Sequence, residues 1–231
     1  MRAFSVLVSN FAQRKELPAE HGLSLYIRID DTDVVFDTGQ GNLFLHNAQF
    51  MNLPLSNVKT AVVSHLHDDH AGGVPFLSRY FSMVGKTCEV IVPVDYEMPM
   101  LPALKKRKAE SFENICEKVY VVTTQCVEKS GEKMDELALV ADKTLFSGCC
   151  HTGIEKVLSV ALKYGEINAV AGGFHNFGHT ASELRSTAEA LAFSGIKKVV
   201  LLHCSSMKFI RHLEDMNIEC KVGYVGHCYS L

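Results

Sequence analysis

Six consecutive residues, His65-Leu66-His67-Asp68-Asp69-His70, carry three imidazoles and, at Asp69, one well-placed carboxylate in the spacing H-x-H-x-D-H. An apolar run precedes them, Thr60-Ala61-Val62-Val63-Ser64, which reads as a buried strand. Ala71-Gly72-Gly73 follows, a turn with two glycines. At the end of an extended strand His65 and His67 alternate and so point to the same side. Asp69 and His70 fall on the turn and reach a neighbouring position. Imidazole and carboxylate together suit a borderline cation such as zinc. The competing reading, surface-loop histidines, does not account for the supporting motifs elsewhere in the chain.

With 231 residues, 47% of them hydrophobic, the chain has enough apolar material for one large domain or two small ones. It shows no repeat, no low-complexity tract and no Pro/Gly/Ser linker, so a single domain over 1–231 is expected. A formal charge of −3 gives no nucleic-acid footprint. No stretch approaches the ~20 apolar residues of a membrane span. The opening residues run directly into strand-like sequence without a convincing signal peptide, so a cytoplasmic location is expected. None of the eight cysteines forms a C-x-x-C pair, and most read as reduced apolar fillers. Cys149, Cys150 and Cys204 are set apart because each adjoins a histidine motif.

Strands are expected over 3–9, 23–29 and 34–36, the last two joined by the turn Asp30-Asp31-Thr32-Asp33. A helix over 42–51, the Thr60 strand and a helix over 75–83 follow. Strands over 88–92 and 118–122 flank an irregular excursion at 93–117, which reads as a lid or substrate loop with a helix over 104–116. A hairpin over 137–140 and 144–146 turns at Asp142-Lys143. The second half alternates: helix 154–164, strand 167–171, helix 181–194, strand 197–202, helix 205–216, strand 221–225. Strands flanked by helices in both halves predict two sheets packed face to face with helices outside.

Two later histidines also follow strand-like segments: His151 in Gly148-Cys149-Cys150-His151-Thr152-Gly153, and His203 in Val199-Val200-Leu201-Leu202-His203-Cys204. Asp37-Thr38-Gly39 lies upstream at another strand end. In this order, with Gly172-Gly173-Phe174-His175 between them, the motifs resemble those of the metallo-β-lactamase fold superfamily. They are most similar to a branch containing 7,8-dihydropterin-6-methyl-4-(β-D-ribofuranosyl)-aminobenzene-5′-phosphate synthases. The resemblance implies an α/β fold, a four-layer αββα sandwich of two mixed sheets with a metal site at one edge. It implies His65, His67 and His151 around a first metal and Asp69, His70 and His203 around a second. Asp37 would hold a ligand histidine by its ring N–H, and Asp68 would be solvated.

One departure stands out. Hydrolases of the superfamily carry a bridging aspartate in a motif like F-T-G-D, whereas Phe146-Ser147-Gly148-Cys149 puts Cys149 there. Either a thiolate replaces the carboxylate or Cys149 and Cys150 are small residues packed under the site. His175 reads as a substrate contact or proton donor, or else as a structural histidine. His227 rivals His203 for the last ligand position, with His203 preferred. His21, His46 and His212 are read as without function, and His179 as a surface residue near a helix start. The run Lys105-Lys106-Arg107-Lys108 reads as a solvated helix face, with phosphate binding the alternative.

The leading expectation is a metal-dependent hydrolase acting on a small molecule, phosphorylated ones included, with Asp69 and His175 as catalytic residues. One or two zinc ions are the expected cofactor, with manganese or iron as alternatives. An iron-dependent redox enzyme and a non-catalytic metal- or ligand-binding module are the competing classes. A small-molecule partner is expected, and no nucleic acid or membrane.

Overall fold

Alternation along the strands decides which way each sheet faces. The computed structural model describes residues 2–94, 101–127, 131 and 133–231. In β3 (Thr32–Phe36) Phe36 points inward between the sheets while Val35 points outward to helices. In β10 (Thr144–Ser147) Phe146 and Leu145 divide in the same way. Because side chains alternate every second residue, a strand buried on both faces is apolar throughout.

The first seven-stranded sheet has the order β14-β1-β2-β3-β4-β5-β6. Its strands are β1 (Arg2–Val8), β2 (Ser24–Ile29), β3, β4 (Thr60–Val62), β5 (Cys88–Val92), β6 (Leu104–Lys108) and β14 (Cys228–Ser230). The second has the order β13-β12-β11-β10-β9-β8-β7. It comprises β7 (Phe112–Cys116), β8 (Val119–Val127), β9 (Lys133–Ala141), β10, β11 (Ala169–Gly172), β12 (Lys198–Leu201) and β13 (Glu219–Val222). Phe4, Leu25, Phe36 and Val62 of one sheet meet Val121, Leu139, Phe146 and Ala171 of the other in a central layer. Helices α1 (Leu43–Phe50) and α3 (Val74–Met83), with the one-turn α2 (Asp68–Ala71) between them in sequence, cover the first sheet through Phe44, Ala48, Leu77 and Phe81. Helices α4 (Ile154–Ala161), α5 (Ala181–Phe193) and α6 (Phe209–Asp215) cover the second through Val157, Leu184, Leu191 and Leu213. The four-layer αββα arrangement expected from the sequence is therefore the observed fold.

Three expectations are corrected. The segment 104–116 is not a helix: its two halves are β6, parallel to β5, and β7, antiparallel to β8. Lysine and glutamate favour helix by local propensity, but here the backbone finds ladder partners on two sheet edges. Charged side chains also suit edge strands, which they protect from further pairing. Arg107 donates two 2.9 Å hydrogen bonds to Glu89 across that edge and also contacts Glu113. The basic run thus lies along an edge strand, with Lys105, Lys106 and Lys108 exposed and Arg107 half-buried. Residues 95–100 of the expected lid lie outside the described residues.

The second correction concerns the last helix, which begins at Phe209 rather than at 205. Ser205 Oγ donates to the Leu202 carbonyl (2.8 Å) and the Ser206 N–H donates to Asn176 Oδ1 (2.7 Å), holding a turn there instead. Third, the final expected strand lies earlier, at β13, and β14 was not foreseen. β14 pairs antiparallel with β1, with Tyr229 stacked on Phe4 at 5.0 Å.

Strand direction sets the place of the site. The segments after β3, β4, β10, β11 and β12 all leave their sheets at C-terminal strand ends, where chains in parallel register deliver neighbouring loops to one rim. Phe146 lies under that rim, edge-on to Phe4 at 5.1 Å. Phe146→Ala is expected to destabilise the metal-free protein by about 3–5 kcal/mol. Lys105→Ala, on the exposed edge, should stay within ~0.5 kcal/mol. Urea unfolding followed by circular dichroism measures both, and similar losses at the two positions would contradict the packing described.

Candidate metal centre

Asp37 is fully buried at the end of β3 in the left-handed region, φ 59°. Its carboxylate accepts the Ser64 N–H (2.7 Å), the Ser64 hydroxyl (2.8 Å) and a hydrogen bond from His70 Nδ1 (2.7 Å). Thr38 adds two bonds to the His70 carbonyl, from its N–H at 2.8 Å and its hydroxyl at 2.9 Å. The D-T-G motif therefore clamps both ends of the histidine loop.

These bonds fix tautomers. Because the Ser64 hydroxyl is given to Asp37, the 2.9 Å contact with His65 Nδ1 has the imidazole as donor. His203 Nδ1 likewise gives its proton to Asn10 Oδ1 at 3.0 Å. Each of the three rings is left with a bare Nε2. The Nε2 atoms of His70 and His203 face each other at 3.2 Å, and Asp69 Oδ2 lies 3.2 Å from the latter. Lone pairs do not hold one another at such distances, whereas a cation among them satisfies all three.

His65, His67 and His151 converge beside this group. Their ring centroids lie 4.6 Å (His65–His67), 4.9 Å (His65–His151) and 5.0 Å (His67–His151) apart. His65 Nε2 and His67 Nδ1 are 3.1 Å apart. His151 Nε2 is buried with no hydrogen-bond partner among the described residues, a costly arrangement unless a ligand meets it. All six sequence-predicted donors are thus brought together, as two sets side by side. Cys149 Sγ groups with His65 and His151 on one side and with His70 and His203 on the other. It stands 3.3 Å from His70 Nε2. Of the two readings of the cysteines, Cys149 meets the donor sets, while Cys150 turns into the apolar layer with Ile154 and Phe174.

Electrostatics follow from burial. The His65 ring is held well below its ordinary pKa by burial and then by its histidine neighbours. His151 is pushed down to about 4 by burial, with His175 next in effect. Both are therefore neutral donors at pH 7. At His70 burial opposes the proton, but the Asp37 carboxylate outweighs it and raises the ring. Burial works against the Asp69 carboxylate too. His203 and His70 overcome it and hold the group below the usual carboxylate range. Cys149 is pushed up, first by its hydrogen bond with Cys204 and then by burial, while Cys204 is pushed down by the same bond.

The rim is a strained piece of backbone. Of eight described non-glycine residues with positive φ, four are Asp37, Cys150, His175 and His203. Such conformations persist where surrounding contacts enforce them. Gly148 is required for a different reason: a Cβ there would lie 2.0 Å from Ser64 Oγ.

Two residues that sequence reasoning did not assign belong to the centre. Glu136 of β9 is buried and accepts backbone N–H groups of Cys149 (3.2 Å), Cys150 (2.7 Å) and Thr152 (3.5 Å). Burial pushes its carboxyl up to about 7. The available signal was a carboxylate in the same row as apolar Ala138 and Val140. His21, read as without function, lies at the site. Its Nδ1 is 3.4 Å from Asn10 Nδ2 and its Nε2 is 3.2 Å from Asp69 Oδ2. With Asn10 donating to Nδ1, Nε2–H is the donor that steadies Asp69. No local pattern marks it, since its partners come from distant segments. His227, the rival of His203, bonds instead to Gln13 Oε1 (3.1 Å) and Tyr229 Oη (3.3 Å) and is outside the cluster. His46 and His212 lie on α1 and α6. Exposed His175 sits at the rim, its ring 4.3 Å from that of His151.

Residues 17–110 match the metallo-beta-lactamase superfamily. An uncharacterized protein of Methanocaldococcus jannaschii is 28% identical over 96% of this chain and 97% of its own length. The 7,8-dihydropterin-6-methyl-4-(beta-D-ribofuranosyl)-aminobenzene-5'-phosphate synthase of the same organism is 26% identical over 82% of each chain. Among solved structures, Tm1679, described as a metal-dependent hydrolase of the beta-lactamase superfamily, superposes with a TM-score of 0.79. It covers 100% of this chain and 99% of its own at 22% identity. Motif order, sandwich and histidine-lined rim agree with the metallo-beta-lactamase match over residues 17–110.

Proposed function

We propose that this protein is a metal-dependent hydrolase of a small molecule, with phosphorylated compounds the favoured class. The observation that carries this reading is the pair of adjoining donor sets whose bare nitrogens face one another and whose His151 Nε2 is orphaned. His65, His67 and His151 would hold one cation, and Asp69, His70 and His203 a second. Imidazole-rich sets favour zinc, with manganese or iron as alternatives. Divalent cations bound in this way supply Lewis acidity and lower the pKa of water toward ~7. The chain's own contribution is to aim the donors and, by burial, to keep His65 and His151 unprotonated. Asp37, Ser64 and Asn10 take the Nδ1 protons, and His21 steadies Asp69 from outside. His175, exposed beside His151, is placed to meet the substrate and to hold or release a proton there. The phosphate in the name of the Methanocaldococcus synthase supports the substrate class.

That same name favours a second reading, a bond-forming reaction at the same centre. Among the described residues no helix is long and apolar enough to cross a membrane. The eight cysteines are free thiols, which fits the reducing cytoplasm we propose as its location.

Treatment with a chelator should remove activity on a chromogenic phosphodiester or ester, and added zinc should restore it. His67→Ala should lose both tight zinc binding and turnover. Metal-replete wild-type protein that turns over nothing in a panel of phosphomonoesters, phosphodiesters, esters and lactones would argue against hydrolysis and for the second reading. Asp37→Asn should lower cation affinity by about 10- to 100-fold, because it loosens the tautomer of His70 without removing a donor. Competition with a fluorescent chelator measures this, and unchanged affinity would contradict the role given to Asp37.

A further inference from the structure

Cys149 and Cys204 reach the rim from different strands, yet their sulfurs lie 3.4 Å apart. Both are buried, at 4% and 7% exposure. A disulfide would require closure to about 2.05 Å. Two thiolates on one tetrahedral cation, each about 2.3 Å from it, stand roughly 3.8 Å apart. The observed separation is nearer the second arrangement. Cys149, His175 and Cys204 offer donor atoms that all lie within 4.8 Å of one another.

The surrounding backbone is built to allow this approach. Gly173 stands between the two cysteines. A Cβ on it would fall 2.5 Å from Cys204 Sγ and 3.3 Å from Cys149 Cα. His175 adopts φ 46°, and its N–H donates to Cys204 Sγ at 3.3 Å, so the same turn binds the sulfur and presents the ring. The conventional donor sets do not use Cys204 or the ring of His175.

We propose that Cys149, Cys204 and His175 form a sulfur-rich cation site that adjoins the two histidine sets and shares Cys149 with them. Two sulfurs and an imidazole select a soft or borderline cation such as zinc over magnesium or manganese. The site rests on the metal-centre reading above, but not on hydrolysis, and a His175 ring bound to its cation no longer holds or releases the proton assigned to it there.

Cobalt(II) titration of reduced, metal-free, full-length protein tests it, because sulfur ligation gives a near-ultraviolet charge-transfer band and imidazole ligation does not. Wild type should show that band together with the visible bands of tetrahedral cobalt. Cys204→Ser should keep the visible bands, lose about half of the charge-transfer intensity and bind one equivalent fewer. His175→Ala should weaken the last equivalent without removing the sulfur band. Magnesium and manganese should not displace cobalt from the band. Three results would overturn the site: full band intensity in Cys204→Ser, visible bands without any sulfur band in wild type, or a Cys149–Cys204 disulfide in mass spectra of the cobalt-loaded protein. Failure to bind cobalt in any form would overturn the metal-centre reading together with this one.

Discussion

The buried carboxylate of Asp37 is the constraint on which the centre depends. It takes three donors from the loop that follows β4, one backbone and two side-chain. An ionised carboxylate inside a fold is tolerated only when paired in this manner. Removing its partners would leave a buried charge, so the loop has one low-energy position. In that position the Ser64 hydroxyl is committed, the His65 proton is directed to Ser64 and the His70 proton to Asp37. The bare nitrogens of both rings then point toward the opposite sheet. One interaction thus sets backbone position, tautomer and aim together.

The opposite sheet answers with a second buried carboxylate. Glu136 does for the Cys149–Thr152 segment what Asp37 does for the histidine loop, but through backbone N–H groups. Asn10, on the segment after β1, fixes the His203 ring and reaches His21 as well. Each half of the sandwich therefore brings its own clamp, and the donors meet in the gap between the sheets. The left-handed backbone at Asp37, Cys150, His175 and His203 is the cost of turning several strands onto a single rim.

A good part of this was legible locally. The alternation of apolar residues gave most strands, and glycine and aspartate punctuation gave the hairpins at Asp30 and Asp142, both with positive φ. The segment 104–116 was misread because propensity is a property of single residues, whereas its halves are strands only through pairing, β6 with β5 across an intervening excursion and β7 with the adjacent β8, which β9 holds on its other side. β14 escaped notice because three residues carry no periodic signal, and it exists only through its register with β1. His21 was passed over for the same kind of reason, its partners Asp69 and His203 being 48 and 182 residues away.

By itself, then, the amino-acid order determined the donor types, their spacing in H-x-H-x-D-H, the strand ends that carry them and the layered class of fold. These follow from periods of two and 3.6 residues and from side-chain chemistry, which are properties of short stretches. Only the tertiary structure decided which nitrogen of His65, His70 and His203 is bare, that Cys149 stands between both donor sets beside Cys204, that Glu136 and His21 belong to the centre, and that His227 does not. Those facts depend on hydrogen bonds and contacts between residues far apart along the chain, and no local pattern encodes a distance in space.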